Sequence, residues 1–115
     1  MSSFEVRYEE PHTIVTVPAR VDVTNTQGLL NAVRGAMGKG DDRFILDLSS
    51  TEAIDSTALG AIVSLYKSLR VGEGDLLLAG MQEGVRRVLA LTRLDRVFTL
   101  YASVNDAKAA SAKAS

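Results

Sequence analysis

The sequence predicts an α/β fold, a small open mixed and mostly parallel β-sheet with helices, and three observations predict it. Phe44-Ile45-Leu46-Asp47-Leu48 and Leu76-Leu77-Leu78-Ala79 are short apolar runs with few polar breaks, the pattern of strands covered on both faces. Apolar residues recur at helical spacing between these runs, as in Leu59, Ile62, Val63, Tyr66 and Leu69, and again on either side of them. Near the N-terminus the period falls to two, with Phe4, Val6 and Tyr8 alternating with Glu5, Arg7 and Glu9. Strands that alternate with helices call for parallel neighbours, so one antiparallel pair at the start is expected to feed a largely parallel sheet.

The elements follow in order. The opening strand is expected to be half-buried, Glu10-Pro11-His12 supplies a turn, and Thr13 to Val17 is the hairpin partner. Pro18 ends that strand because proline cannot donate to a ladder. Ala19-Arg20-Val21-Asp22-Val23 reads as a connector, and Thr24 with Gln27 makes a capping-box start for the first helix. Its stripe is Leu29, Leu30, Val33 and Met37, and Gly38-Lys39-Gly40 stops it. Gly28 and Gly35 each weaken this helix by up to ~1 kcal/mol, so packing has to hold it. Ser49-Ser50-Thr51-Glu52-Ala53-Ile54 is too short and too polar for a core element, and the helix beyond it opens with Asp55 or Ser56 at the N-cap. Gly72-Glu73-Gly74-Asp75 is the next turn. From Gln82 a helix puts Val85, Val88, Leu89 and Thr92 on one face, with Arg86, Arg87 and Ala90 turned away. Val97-Phe98-Thr99-Leu100-Tyr101 reads as an edge strand, and Val104 to Ala110 as a terminal helix. One domain over 1–115 is expected, with an ordered core from about residue 3 to 110 and a frayed tail over 111–115.

Composition narrows the chemistry. A chain of 115 residues, 46% apolar and 23% charged, suits one globular core. The net charge of −1, from 13 basic and 14 acidic residues, demands neither a nucleic acid nor an anionic membrane as partner. No cysteine is present, which excludes disulfides, thiolate metal sites and cysteine catalysis. Residues 1–10 hold no signal-peptide core and no run is long and apolar enough to span a bilayer, so a cytoplasmic protein is expected. The single histidine, His12, reads as a turn residue far in sequence from Ser56, and Ile54 and Ala58 stand where a nucleophile elbow needs glycine. Asp41-Asp42 and Glu9-Glu10 are solvated charges with no His or Cys cluster behind them, so no metal or other cofactor is expected. Gly72-Glu73-Gly74 lies between a helix and a strand, the wrong order for a phosphate loop. Arg86, Arg87, Arg93 and Arg96 gather near one helix end and read as a solvated face, with an anion or partner contact as the lesser reading.

That leaves Asp55-Ser56-Thr57. Helix capping accounts for these residue types by itself. Capping does not account for Ala58 and Gly60, small residues that leave the first turn open to close approach, Gly60 at a cost in helix stability. A phosphate on a hydroxyl here gains from the helix dipole and sets about two negative charges beside Asp55. The domain tolerates that charge, whereas a docked partner meets like charge and desolvation.

Asp55-Ser56-Thr57-Ala58-Leu59-Gly60, preceded by Phe44 to Leu48 and Ile54, resembles the D-S-[ST]-G-L-G signature of the STAS domain of bacterial anti-sigma factor antagonists, also called anti-anti-sigma factors. Arg20-Val21-Asp22 is similar to that family's acidic connector, and Leu91 to Phe98 to its T-G-L-x-x-V-F segment. The resemblance runs from about residue 4 to 110 and implies the β/α sandwich reached above. It also implies a cytoplasmic partner-switching regulator of transcription and not an enzyme. Such a protein captures an anti-sigma factor serine kinase, releases it when phosphorylated, and is reset by a metal-dependent serine phosphatase. By the same resemblance Ser56 is the phosphoacceptor, Asp55 and Thr57 shape its surroundings with Ala58, Leu59 and Gly60, and Asp22 lies near it. Three residues depart from the pattern: Ala58, Ala19 and Arg93 stand where the family has glycine, and Arg93 adds bulk and charge near a terminus that could face a partner. Two other readings compete. One is a non-switching STAS subunit docked on a transporter ATPase of the lipid-moving kind, and the other, an enzyme or nucleotide hydrolase, has little support.

Overall fold

The structure, a computed structural model, describes residues 4–114 and the side-chain surroundings of residues 4–110. β1 (Glu5–Glu9) and β2 (His12–Thr16) form the antiparallel hairpin, and β2, β4 (Arg43–Asp47), β6 (Asp75–Ala79) and β7 (Leu100–Tyr101) run parallel to one another. The order across this five-stranded sheet is β1-β2-β4-β6-β7. β3 (Arg20–Val21) and β5 (Ala53–Ile54) make a second, two-stranded parallel sheet. The helices are α1 (Thr26–Met37), α2 (Ser56–Val71), α3 (Glu83–Leu91) and α4 (Val104–Ala114), with a 3₁₀ turn at Leu94–Arg96.

The apolar runs dictate the layering. Phe44, Ile45 and Leu46 in β4 and Leu76, Leu77 and Leu78 in β6 are all buried, so both faces of the sheet centre are covered. On one face Val15, Phe44, Leu46, Leu76 and Leu78 meet Leu29 and Val33 of α1, Ile62, Leu65 and Leu69 of α2, and Val85 and Leu89 of α3. On the other, Ile14, Ile45, Leu77 and Ala79 meet Ala107 of α4. Tyr66 and Phe98 close the larger core edge to face, centroids 5.1 Å apart. Two glycines are fixed by close approach. A side chain at Gly74 would place its Cβ 2.4 Å from the Asp42 carbonyl oxygen, and one at Gly28 would meet the Phe4 ring at 3.0 Å. Gly28 therefore weakens α1 intrinsically but lets the N-terminal segment pack on it.

Several expectations need correction. The connector at 19–23 and the polar stretch before Asp55 each contain a two-residue strand, and those strands pair with one another. The capping box at Thr24 does not form: Asn25 is the N-cap of α1, with no side-chain cap bond. The Asn25 side chain instead accepts from the Asp22 N–H and donates to the Arg20 carbonyl, which shapes the loop ahead of the helix. Val6 and Tyr8 are 46% and 57% exposed, so β1 alternates like a half-buried strand without being one. Val97 to Thr99 precede the last strand, which is only Leu100–Tyr101, at the edge as expected. Val88 is half-buried and Thr92 exposed, so the buried stripe of α3 narrows to Val85 and Leu89. α4 extends to Ala114, past the expected Ala110. Of the tail expected over 111–115, the side chains and Ser115 lie outside the described residues.

His12 is the largest correction. It is the first residue of β2, only 1% exposed, and neither ring nitrogen has a hydrogen-bond partner among the described residues. Burial, then the charges of Arg43 and Lys108, push its pKa below the usual histidine range. The carboxyl group opposite it, on Glu9, is already paired with Arg7 and Lys108. The folded protein thus holds His12 neutral at a pH where the unfolded chain binds a proton. Stability is full above the unfolded pKa near 6.5 and is lost as pH falls through it towards the lowered folded value. Urea midpoints are expected to fall between pH 7.5 and 5.5 in the wild type and to change less in His12→Gln; an equal pH dependence in both proteins contradicts this.

Candidate functional site

The loop from β5 into α2 is held from two sides by Asp55. Its backbone is extended (φ −100°, ψ 178°), and its Oδ1 accepts from the Ala58 N–H at 2.9 Å, the bond of an N-cap. Its Oδ2 accepts from the Val23 N–H at 3.1 Å, and its own N–H donates to the Val21 carbonyl at 3.2 Å. One residue therefore starts α2 and fastens the loop that follows β3. A second fastening was missed from the sequence. Thr51 is fully buried, and its hydroxyl donates to the carbonyls of Val17 and Pro18, pinning the β4–β5 loop to the end of β2. A lone threonine in a polar stretch carries no signal that separates this role from an ordinary turn.

Ser56 and Thr57 follow as the first two residues of α2, and both are exposed. By helix geometry their N–H groups have no partner within the helix, so the Ser56 hydroxyl stands in the open beside the positive end of the dipole. Gly60 is exposed on the next turn, with nothing among the described residues within 4 Å of where a Cβ would stand. Ala58 and Leu59 behave differently: they are 0% and 7% exposed and pack into the larger core. The exposed surface at the start of α2 is thus made by Ser56, Thr57 and Gly60, while Ala58 and Leu59 anchor the helix beneath them.

Asp22 comes to the same end of the molecule through its loop. Its Oδ1 accepts from the Thr24 hydroxyl at 2.5 Å and the Thr24 N–H at 2.9 Å. These bonds, with the nearby charge of Arg20, hold its carboxyl below the usual carboxylate range. No hydrogen bond joins Asp22 to Ser56 among the described residues, and the neighbouring Val23 makes the link to Asp55. The four arginines are all exposed and make no ion pair among the described residues. Nor do those residues contain a group of three or more His, Asp or Glu placed to hold a metal ion, or a helix long and apolar enough to cross a membrane.

The STAS domain description matches residues 3–107. This chain belongs to the STAS domain family. A Thermotoga maritima protein with a provisional assignment as an anti-sigma factor antagonist is 41% identical over 71 residues, 62% of this chain and 63% of that protein. The match thus spans slightly under two thirds of that curated relative. A crystal structure of a Thermotoga maritima protein with the same provisional assignment superposes with a TM-score of 0.84, at 32% identity over 91% of both chains. The phosphorylated form of the Bacillus cell fate determinant SpoIIAA superposes with a TM-score of 0.74, covering 95% of this chain and 99% of that one; at 14% identity this likeness concerns the fold.

The structure shows how the three residues that depart from the resembled pattern are accommodated. Ala58 is helical and wholly buried, where a methyl group fits, and Ala19 does not require a positive φ. Arg93 does, with φ +62° and ψ 16°, the left-handed region that glycine enters freely. Arg93→Gly is expected to stabilise the domain by about 0.5–1 kcal/mol, the left-handed cost less the entropy of glycine. A thermal melt should rise by a few degrees, and an unchanged or lower midpoint contradicts the strain.

Proposed function

We propose that this STAS domain is an anti-sigma factor antagonist that works as a phosphorylation-controlled binding switch, with Ser56 as the acceptor. The observation that carries the reading is an exposed hydroxyl at the first position of α2, next to a carboxylate already committed to capping. Because Asp55 is held by Ala58 and Val23, a phosphate arriving on Ser56 meets a fixed negative neighbour and open helix N–H groups. The domain keeps its fold while the surface around Thr57 and Gly60 gains about two negative charges. The partner is an anti-sigma factor serine kinase, held by the unmodified surface and released by the charged one, and a metal-dependent serine phosphatase restores the binding form. SpoIIAA, which has been captured in both unphosphorylated and phosphorylated forms, supports such a cycle by likeness of fold. Calorimetric titration of the cognate kinase with the unmodified and the Ser56-phosphorylated chain tests it. Binding is expected for the first and loss of binding for the second, with recovery after phosphatase treatment; equal affinities refute the switch.

A further inference from the structure

The opposite end of the sheet carries a second polar site that the switch does not use. Glu9 faces His12 across the hairpin, Arg43 faces Asp75, and His12 and Arg43 each stand one residue before the paired Thr13 and Phe44. The four therefore form one row across β1, β2, β4 and β6, on the face where Ile14, Ile45 and Leu77 meet α4. Lys108 of α4 closes the row at Glu9. A cavity of about 140 Å³ opens beside it, lined by His12, Arg43, Asp75, Leu77, Thr99 and Tyr101 among others.

The groups around this cavity are unevenly committed. His12 is 1% exposed and both ring nitrogens lack a partner among the described residues, although a neutral imidazole has one donor and one acceptor to satisfy. Arg43 makes no ion pair among the described residues. Asp75 is engaged through one oxygen, its Oδ1 accepting from the Leu76 N–H at 2.8 Å and lying 4.0 Å from Arg70. What is left over is a guanidinium, an imidazole N–H and the hydroxyls of Thr99 and Tyr101, donors beside the apolar Leu77, with the second Asp75 oxygen as the acceptor among them. The volume is close to the roughly 150 Å³ of an engineered cavity that holds benzene.

We propose that this cavity binds a small organic monocarboxylate, with its carboxylate on Arg43 and His12 and its short apolar tail against Leu77. Arg43 offers the paired donors that a planar carboxylate matches, and the Asp75 charge at the rim disfavours a dianion. The site is independent of Ser56, which lies beyond the C-terminal ends of the strands whose first residues build it.

Amide NMR spectra of the full chain, titrated with sodium benzoate and with butyrate against sodium chloride at equal ionic strength, test the assignment. Saturable shifts are expected at His12, Arg43, Leu77 and Tyr101, with none from inorganic phosphate. Arg43→Gln, at an exposed position, should keep the folded spectrum and weaken binding at least tenfold, and His12→Phe should do the same where it folds. Shifts that match those from chloride, or an unchanged affinity in Arg43→Gln, overturn the proposal. Phosphate binding as tightly as the carboxylates overturns the ligand class.

Discussion

Ser56→Asp is expected to weaken binding of the cognate anti-sigma kinase by at least tenfold while leaving the thermal midpoint nearly unchanged. Ser56 is exposed and makes no hydrogen bond that the fold depends on, so the substitution removes little from the domain itself. An acidic residue in the first turn of a helix is, if anything, stabilising by about 0.3–1 kcal/mol. The interface responds in the opposite sense. A new carboxylate beside Asp55 would be desolvated under a docked partner, and like charge at an interface costs several kcal/mol. Even about 1.4 kcal/mol of that cost is a factor of ten in affinity. Phosphoserine, with about twice the charge, should weaken binding further. Ser56→Ala, neutral and small, should bind like the wild type; if it lost binding as Ser56→Asp does, the hydroxyl would be a contact and not a switch.

Asp55→Ala carries the largest expected cost in stability. It removes the cap on the Ala58 N–H and the tie to the Val23 N–H together, which is about 1–2 kcal/mol and roughly 4–10 °C in the melting midpoint. Asp55→Asn keeps an oxygen for Ala58 but turns a donor amide towards the Val23 N–H, so it should fall between alanine and wild type. If Asp55→Ala melts with the wild type, Asp55 does not hold this loop. The same variant should slow phosphorylation of Ser56, because the start of α2 then frays.

The parts of this molecule that were legible in the sequence are those in which one physical signal was strong and uncontested. Phe44 to Leu48 and Leu76 to Ala79 could be little other than central strands, and Asp55 was visible as a cap because extended chain gives way there to helical spacing. β3 and β5 were invisible because two residues establish no period, and their pairing is a tertiary event fixed by Asp55 and Thr51. His12 was misplaced because Pro11 beside it signals a turn, while it opens β2 and its surroundings, Arg43, Leu77 and Ala110 among them, come from far along the chain. The alternation in β1 correctly gave a strand, but α1 does not close over Val6 and Tyr8 at that edge: a cavity of about 480 Å³ separates them from Ala32, Gly35 and Ala36. At the candidate site the residue types gave Asp55, Ser56, Thr57 and Gly60 their places. They could not show that Ala58 and Leu59 turn inwards, which depends on where α2 settles on the sheet.

The most direct measurement is a phosphosite map of the purified chain after incubation with its cognate kinase and ATP. The account predicts phosphate on Ser56 alone and none on a Ser56→Ala variant that gives the wild-type thermal midpoint. Phosphate on Thr57 or elsewhere, or undiminished labelling of that variant, would contradict it.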